Sequence, residues 1–208
     1  MKLNEPKLKH TFDNTLEQAY LDNDFSNSIF TNNTNKNIEL IDITIDSCIF
    51  KNISFNNINI KDVDLRDVCF EKCDISNKNF NYKLVERVIF KNCRLIGTSF
   101  IGASLKDVEF DNCMAKYINF SDAKINNMII NESNFSEMTF NETKIKNLHL
   151  NNVDLTKSEI LNTNLNNVNF ANSKIDNIML DYYSVKGIII DRFQSYDLVE
   201  MLGVKFND

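Results

Sequence analysis

A large apolar side chain recurs at every fifth position along most of the chain. In residues 87–113, this series consists of Phe90, Leu95, Phe100, Leu105 and Phe110. An amphipathic helix would repeat its apolar residues about every 3.6 positions and a half-buried strand about every 2, so the spacing fits neither element. The pattern therefore predicts a repeating backbone in which each five-residue unit contributes one central, inward-facing side chain.

The central series keeps one register from Leu40 to Ile190. Upstream, Tyr20, Phe25 and Phe30 are in phase with it, so we expect the array to begin near residue 20. When the central residues are sorted at a period of 20, one column contains only phenylalanine over five successive turns. Its members are Phe30, Phe50, Phe70, Phe90 and Phe110. This sorting predicts four sides per coil and roughly eight or nine coils, stacked like parallel strands about 4.8 Å apart.

Two further positions complete the five-residue unit. Two residues before each central side chain stands a small or apolar residue, such as Val63 or Cys93, which should also face inward. Two residues after it, Asn, Asp or Gly is common, as at Asp62 and Asn92. Only four glycines and one proline occur, and Asn tolerates left-handed backbone geometry, so we expect Asn to form most corners.

Lys78 and Lys83 occupy the small inward position. An unpaired ammonium is too costly to bury. We therefore expect a bulge, kink or loop within residues 77–87.

Several units resemble the pentapeptide-repeat family, in which a small residue is followed by Asp or Asn, then Leu or Phe, then two polar residues. The matching units include VDLRD (63–67), CDISN (73–77), VDLTK (153–157) and TNLNN (163–167). The resemblance implies an all-β fold, a right-handed quadrilateral β-helix with a short C-terminal capping helix. The expected domains are a leading segment over 1–19, the β-helix over 20–190 and a capping helix and tail over 191–208.

The tail after residue 190 leaves the repeat. Asp191 can cap a helix, Gln194 can reach back to complete a capping box, and Gly203 suits the helix end. This helix either caps the last coil or also forms a homodimer, since similar elements join two rods in the quinolone-resistance members of the family. The candidate dimerisation residues are Phe193, Leu198, Val199, Met201 and Leu202.

The net charge of -6 and the pI near 5.0 argue against nucleic acid as a direct ligand and favour a basic protein surface as the partner. Neither a membrane-spanning run nor an apolar signal segment is present, so we expect a cytoplasmic protein. One column is acidic and lacks Lys or Arg, although Tyr82 and Gly102 interrupt it. This column is a candidate partner surface, and the alternative is an ordinary solvated face. Its members are Asp22, Asp42, Asp62, Asp122 and Glu142.

Another outward column contains Ile49, Ile89 and Ile129, which either contact a partner or are shielded by neighbouring side chains. A third outward column alternates in charge, which indicates that its side chains pair between neighbouring coils and have a structural role. It consists of Lys51, Glu71, Lys91 and Asp111.

The sequence offers little that could carry out chemistry. The five cysteines form no CxxC motif, and most occupy the small inward position, where a thiol behaves as a small hydrophobe. Only two histidines occur, His10 and His149, and glycine-rich phosphate loops are absent. We therefore expect no enzyme, no metal and no cofactor.

The leading functional hypothesis rests on resemblance to the quinolone-resistance class. Rods of that class imitate the width and charge of duplex DNA and occupy the DNA-binding surface of type II topoisomerases, DNA gyrase and topoisomerase IV. The alternative is a scaffold rod that binds a different protein or only its own copy.

Overall fold

The computed structural model describes residues 2–8, 11–201 and 204. Most of these residues form a β-solenoid of about eight turns, as the five-residue pattern predicts. Within the described chain, no helix combines the length and apolarity that a bilayer crossing requires. The elements in chain order are β1 (Phe12–Asp13), α1 (Leu16–Asp22), β2 (Ser28–Phe30), β3 (Ile38–Ile41), β4 (Thr44–Lys51), β5 (Ile58–Lys61), β6 (Asp64–Glu71), β7 (Leu84–Lys91), β8 (Ser104–Asp111), β9 (Lys124–Asn131), β10 (Thr139–Asn141), β11 (Lys144–Ile145), β12 (Leu148–Asn151), β13 (Glu159–Leu161), β14 (Met179–Leu180), α2 (Tyr182–Val185) and α3 (Ser195–Met201).

Successive coils pair in parallel with an offset of 20 residues. Phe50 in β4 pairs with Phe70 in β6, Phe70 with Phe90 in β7, and Phe90 with Phe110 in β8. The ring centroids of these neighbours lie 5.0, 5.1 and 4.9 Å apart, with the rings stacked. The phenylalanine column predicted from the period of 20 is therefore confirmed, and it forms the centre of the core.

Left-handed backbone turns recur at most of the five-residue intervals, which gives each coil four sides. In one coil, the corners Asp62, Asp67, Lys72 and Asn77 all have left-handed φ angles, between 54° and 58°. Asn is less dominant than expected, since lysine, arginine, glutamate and tyrosine also occupy corners. Hydrogen bonds to the neighbouring coils hold the corner backbone in place, so a residue with an ordinary side chain can adopt it. The asparagines at the corner position that lack a positive φ are Asn32, Asn37, Asn57, Asn147 and Asn172.

The prediction of a bulge, kink or loop within residues 77–87 is wrong. The Asn77 N–H donates to the Ile96 carbonyl at 2.9 Å, and the pairing of β6 with β7 keeps its 20-residue offset. Both lysines are only partly buried: the Lys83 ammonium reaches out to Asp62 at 3.0 Å, and burial lowers the pKa of Lys78. A long lysine side chain can leave an inward position with its charge in solvent, so the coil needs no distortion.

A helix that the sequence analysis did not predict closes the N-terminal end. Thr15 caps the start of α1, because its hydroxyl accepts the Gln18 N–H at 3.1 Å. Leu16 and Ala19 in the helix are buried against the first coil. Tyr20, expected in the central series, lies on this helix and is 42% exposed. The first buried member of the series is therefore Phe25.

At the C-terminal end, the predicted capping box is confirmed. The Asp191 carboxylate accepts the Gln194 N–H at 3.0 Å, and the Gln194 side-chain oxygen accepts the Asp191 N–H at 2.9 Å. The Gln194 amide also donates to the carbonyls of Phe170 and Ser173, at 2.8 and 2.6 Å. These bonds fasten the segment before α3 to the last complete coil. Gly203 lies outside the described residues.

Candidate functional site

Four of the five predicted acidic residues lie on one corner of the solenoid, which we call the acidic corner: Asp42, Asp62, Asp122 and Glu142. All four are exposed and have left-handed φ angles between 53° and 59°. Asp22 does not belong to this corner, because it is the last residue of α1, where it accepts hydrogen bonds from Gln18. The acidic corner therefore lies at the surface of the rod.

Two residues divide the acidic corner into an upper and a lower pair. Tyr82 is 76% exposed, and its ring lies over Gly102, where an added Cβ would meet the ring carbons Cδ1 and Cε1 at 2.5 Å. Lys83 pairs with Asp62, and this contact raises the pKa of the lysine. Asp122 and Glu142 therefore occupy equivalent corners of adjacent coils with no other residue of the column between them.

An adjacent column carries alternating charges that pair between coils. Arg66 lies 3.8 Å from Asp46 and 3.9 Å from Glu86, and Lys106 lies 2.9 Å from Glu86. The hydrogen bond from Lys106 is the main cause of the lowered pKa of Glu86. The alternating column Lys51–Glu71 and Lys91–Asp111 pairs more loosely, at 3.9 Å in each case. Opposite charges therefore pair along each of these columns.

The N-terminal residues lie on the wall of the solenoid. Asn4 donates to the Asp107 carboxylate and the Lys7 N–H to the Asp67 carboxylate, both at 2.8 Å. Asp67 is further bound by both sides of the Arg87 guanidinium, at 2.6 and 2.8 Å. Burial opposes ionisation of Asp67, but the bonds from Arg87 and Lys7 outweigh it and lower its pKa. Residues 2–8 therefore cover this corner from Asp67 to Asp107.

The isoleucine column lies beside that covered corner. Ile49, Ile89 and Ile129 are each partly buried, and parallel pairing aligns them with their neighbours along the wall. Glu109 interrupts the column between Ile89 and Ile129, and burial and the nearby Asp111 raise its pKa. The column is therefore a half-buried strip rather than a freely exposed patch.

The predicted dimerisation residues divide into two groups. Leu198 and Met201 pack against the core, and the Met201 sulfur accepts the Leu180 N–H at 3.2 Å. Val199 is partly buried, whereas Phe193 is 80% exposed. Leu202 lies outside the described residues. The inner face of α3 thus caps the last coil, and Phe193 remains accessible at the end of the rod.

The cysteines are placed as small core residues. Cys48, Cys73, Cys93 and Cys113 are buried and free, and their thiols donate to backbone carbonyls. Burial raises the pKa of Cys48 and of Cys113 to about 12, so these thiols stay protonated at neutral pH. His149 is exposed, and His10 lies outside the described residues.

One wall of the solenoid contains an opening that the sequence analysis missed. Strands β11 and β12 pair with β9, but across the fully described stretch from 144 to 172, residues 144–152 form no hydrogen bond with residues 164–172 of the next coil. Pairing persists on other sides of these coils, as between Thr139 and Glu159. We call the opening between residues 144–152 and 164–172 the seam.

The seam exposes part of the core. Ile145 and Leu148 are partly exposed, whereas their equivalents one coil earlier, Ile125 and Met128, are 2% and 0% exposed. Asn147 also lacks the left-handed φ found at the corresponding corners of the coils on either side. The units TKIKN and LHLNN follow the repeat normally, so no sequence signal marks this opening.

Two family models agree with this architecture. Family models described as pentapeptide repeat region and pentapeptide repeats (8 copies) match residues 63–135 and residues 118–156 and 133–172, which together span more than half of the chain. The solved structure of full-length QnrB1, a plasmid-mediated fluoroquinolone resistance protein, is 20% identical, with a TM-score of 0.45 and coverage of 86% of this chain and 89% of that chain.

A second solved structure is HetL, a pentapeptide repeat protein involved in heterocyst differentiation regulation from the cyanobacterium Nostoc. It is 13% identical, with a TM-score of 0.31 and coverage of 88% of this chain and 92% of that chain. No curated protein sequence matches the chain significantly.

Proposed function

Because the chain belongs to the pentapeptide-repeat family, we propose that it is a non-enzymatic binding rod whose acidic corner occupies the DNA-binding surface of a type II topoisomerase, DNA gyrase or topoisomerase IV. The observation that carries the proposal is the exposure of Asp42, Asp62, Asp122 and Glu142 along one corner, aligned with the long axis of the rod. Paired coils lie about 4.8 Å apart, so each of the two acidic pairs places two negative charges on adjacent coils along the rod. A surface built to bind phosphates attracts such charges and accelerates the encounter.

A supercoiling assay with purified gyrase, with and without a quinolone, tests this proposal. We expect the protein to inhibit supercoiling or to protect gyrase from the drug. Neutralising the lower acidic pair with Asp122→Asn and Glu142→Gln should raise the half-effective concentration by about fivefold or more. The matched control, Asp24→Asn with Asp176→Asn, removes the same charge from other exposed positions and should have little effect.

A scaffold rod with another protein partner is the second candidate. The observation that favours it is the division of the acidic corner by Tyr82 and Gly102, together with the paired charges on the adjacent column. If the folded protein neither inhibits nor protects gyrase, the topoisomerase proposal is abandoned in favour of the scaffold.

In either case, we propose that the C-terminal end forms a homodimer. Phe193 and Tyr182 are 80% and 88% exposed, and Met179 is 51% exposed, all within the last coil and its cap. Apolar side chains grouped at one end of a rod favour end-to-end association. Light scattering should give twice the chain mass, and Phe193→Ser should give the monomer. Phe12→Ser, which changes a phenylalanine that is 58% exposed near the other end, should leave the mass unchanged; a monomeric parent protein would refute the dimer.

A further inference from the structure

We propose that the seam between residues 144–152 and 164–172 binds an extended, acidic segment of another polypeptide, which adds as a strand between the two coils. This surface is distinct from most of the acidic corner, although Glu142 lies at the edge of both. The occupant is identified by three features of the seam: unpaired strand edges, a partly exposed apolar floor and a basic rim.

The unpaired edges require an occupant with a peptide backbone. One coil earlier, the N–H groups of Met128 and Glu132 donate to the carbonyls of the following coil, at 3.0 and 2.9 Å. The equivalent donors on the seam, Leu148 and Asn152, form no such bond within this fully described stretch. A strand edge of this kind is a template for pairing with another chain. Here the edge of β11 and β12 faces residues 164–172, whose one isolated bridge, from Asn169 to Ile189, is made to the following coil.

The direction of the neighbouring bonds supports the same conclusion. The Lys144 and Lys146 N–H groups each donate to the preceding coil, to Ala123 and Ile125, at 2.9 Å. Successive N–H groups of a strand point to opposite sides, so the Ile145 N–H between them faces the seam. An inserted strand would accept from it and restore the pairing that the other coils have.

The apolar floor determines which side chains the inserted strand should carry. Ile145 and Leu148 are partly exposed on one side of the seam, while Leu165 and Val168 on the other side are 0% and 6% exposed. Side chains of an extended strand alternate between its two faces. The occupant should therefore place an apolar residue at every second position, pointing into the solenoid.

The rim determines the charge of the remaining positions. Lys144 and Lys146 flank Ile145 and are exposed, and together with Glu142 and Tyr183 they line a groove of about 690 Å³. Lys186 lines a smaller groove next to it. The residues that line the two grooves carry three ammonium groups and one carboxylate, so they have a net positive charge, although the protein as a whole carries a net charge of -6. Acidic side chains on the outward face of the inserted strand would pair with these lysines.

A labelled peptide of about seven residues that alternates glutamate and valine serves as the probe, since strand residues advance about 3.3 Å each. Fluorescence anisotropy should show saturable binding to the full-length protein. A peptide with the same side chains but N-methylated at alternate backbone positions, and a peptide with lysine in place of glutamate, should each bind about tenfold more weakly or worse. Equal affinity for the N-methylated peptide would overturn strand addition.

Matched lysine variants locate the site. Lys144→Glu should weaken binding of the glutamate–valine peptide by about fivefold. Lys124→Glu changes the same column one coil earlier, where β9 is paired on both sides, and should have no effect. If both variants weaken binding equally, the peptide binds through general charge attraction and the seam is not its site.

Amide hydrogen exchange tests the opening itself, without any variant. In the free protein, the Leu148 and Asn152 amides should exchange at least about tenfold faster than the equivalent Met128 and Glu132 amides, and the peptide should slow them. Equal protection in the free protein would show that the coils close in solution and would overturn the proposal. Protection that increases with protein concentration would instead assign the seam to a second copy of the chain.

Discussion

Truncating Phe90 to alanine should remove the centre of the aromatic column that organises the core. Phe90 is 0% exposed, and its ring stacks on Phe70 at 5.1 Å and on Phe110 at 4.9 Å, with interplanar angles of 3° and 10°. A buried Phe→Ala substitution costs about 3–5 kcal/mol, and each aromatic pair contributes about 0.5–1.5 kcal/mol beyond its buried area. With two stacked pairs lost, we expect the free energy of unfolding to fall by about 5 kcal/mol.

Urea unfolding followed by circular dichroism measures this loss through the midpoint and the slope of the transition. Phe90→Leu keeps most of the volume but loses both stacked ring pairs, so it should cost about 2 kcal/mol. The control Phe12→Ala changes a 58% exposed ring and should stay within about 0.5 kcal/mol. A loss below about 1 kcal/mol for Phe90→Ala, or equal losses at both sites, would refute the proposed role of the stacked column.

Two further predictions concern charges on the wall. The pKa of Glu109 is raised in the folded protein, so folding favours its neutral carboxyl group. The stability gained from the neutral group is present at low pH and is lost as pH rises through the folded pKa. Glu109→Gln should therefore raise the melting temperature at pH 7 and not at pH 3, measured by calorimetry; equal effects at both pH values would contradict this. Arg87→Met removes the guanidinium from buried Asp67 and should cost about 2 kcal/mol at pH 7. Because the pKa of Asp67 is lowered by folding, the cost should fade below a pH of about 3.9 in urea titrations. Arg94→Met, with a 57% exposed side chain, should cost no more than about 0.5 kcal/mol, and an equal loss there would contradict the assignment.

The sequence was a good guide wherever one residue's position in the five-residue unit decided its environment. Phe90, Cys93 and Leu95 are buried as their positions predict. Prediction failed where the length and flexibility of a side chain mattered, because Lys83 extends from an inward position to reach Asp62. It also failed for α1, although Thr15 followed three residues later by Gln18 was a usable capping signal.

By itself, the repeat determined that the chain coils with four sides and buries a phenylalanine column, because hydrophobic burial of regularly spaced side chains is a local rule applied many times. Only the tertiary structure decided where the coil edges pair and where they separate. TKIKN at the seam has the same pattern as units that pair normally. The tertiary structure also brings Asn4 into contact with Asp107, a pair separated by 103 residues. Such contacts depend on the accumulated geometry of several coils, and no five-residue unit contains that information.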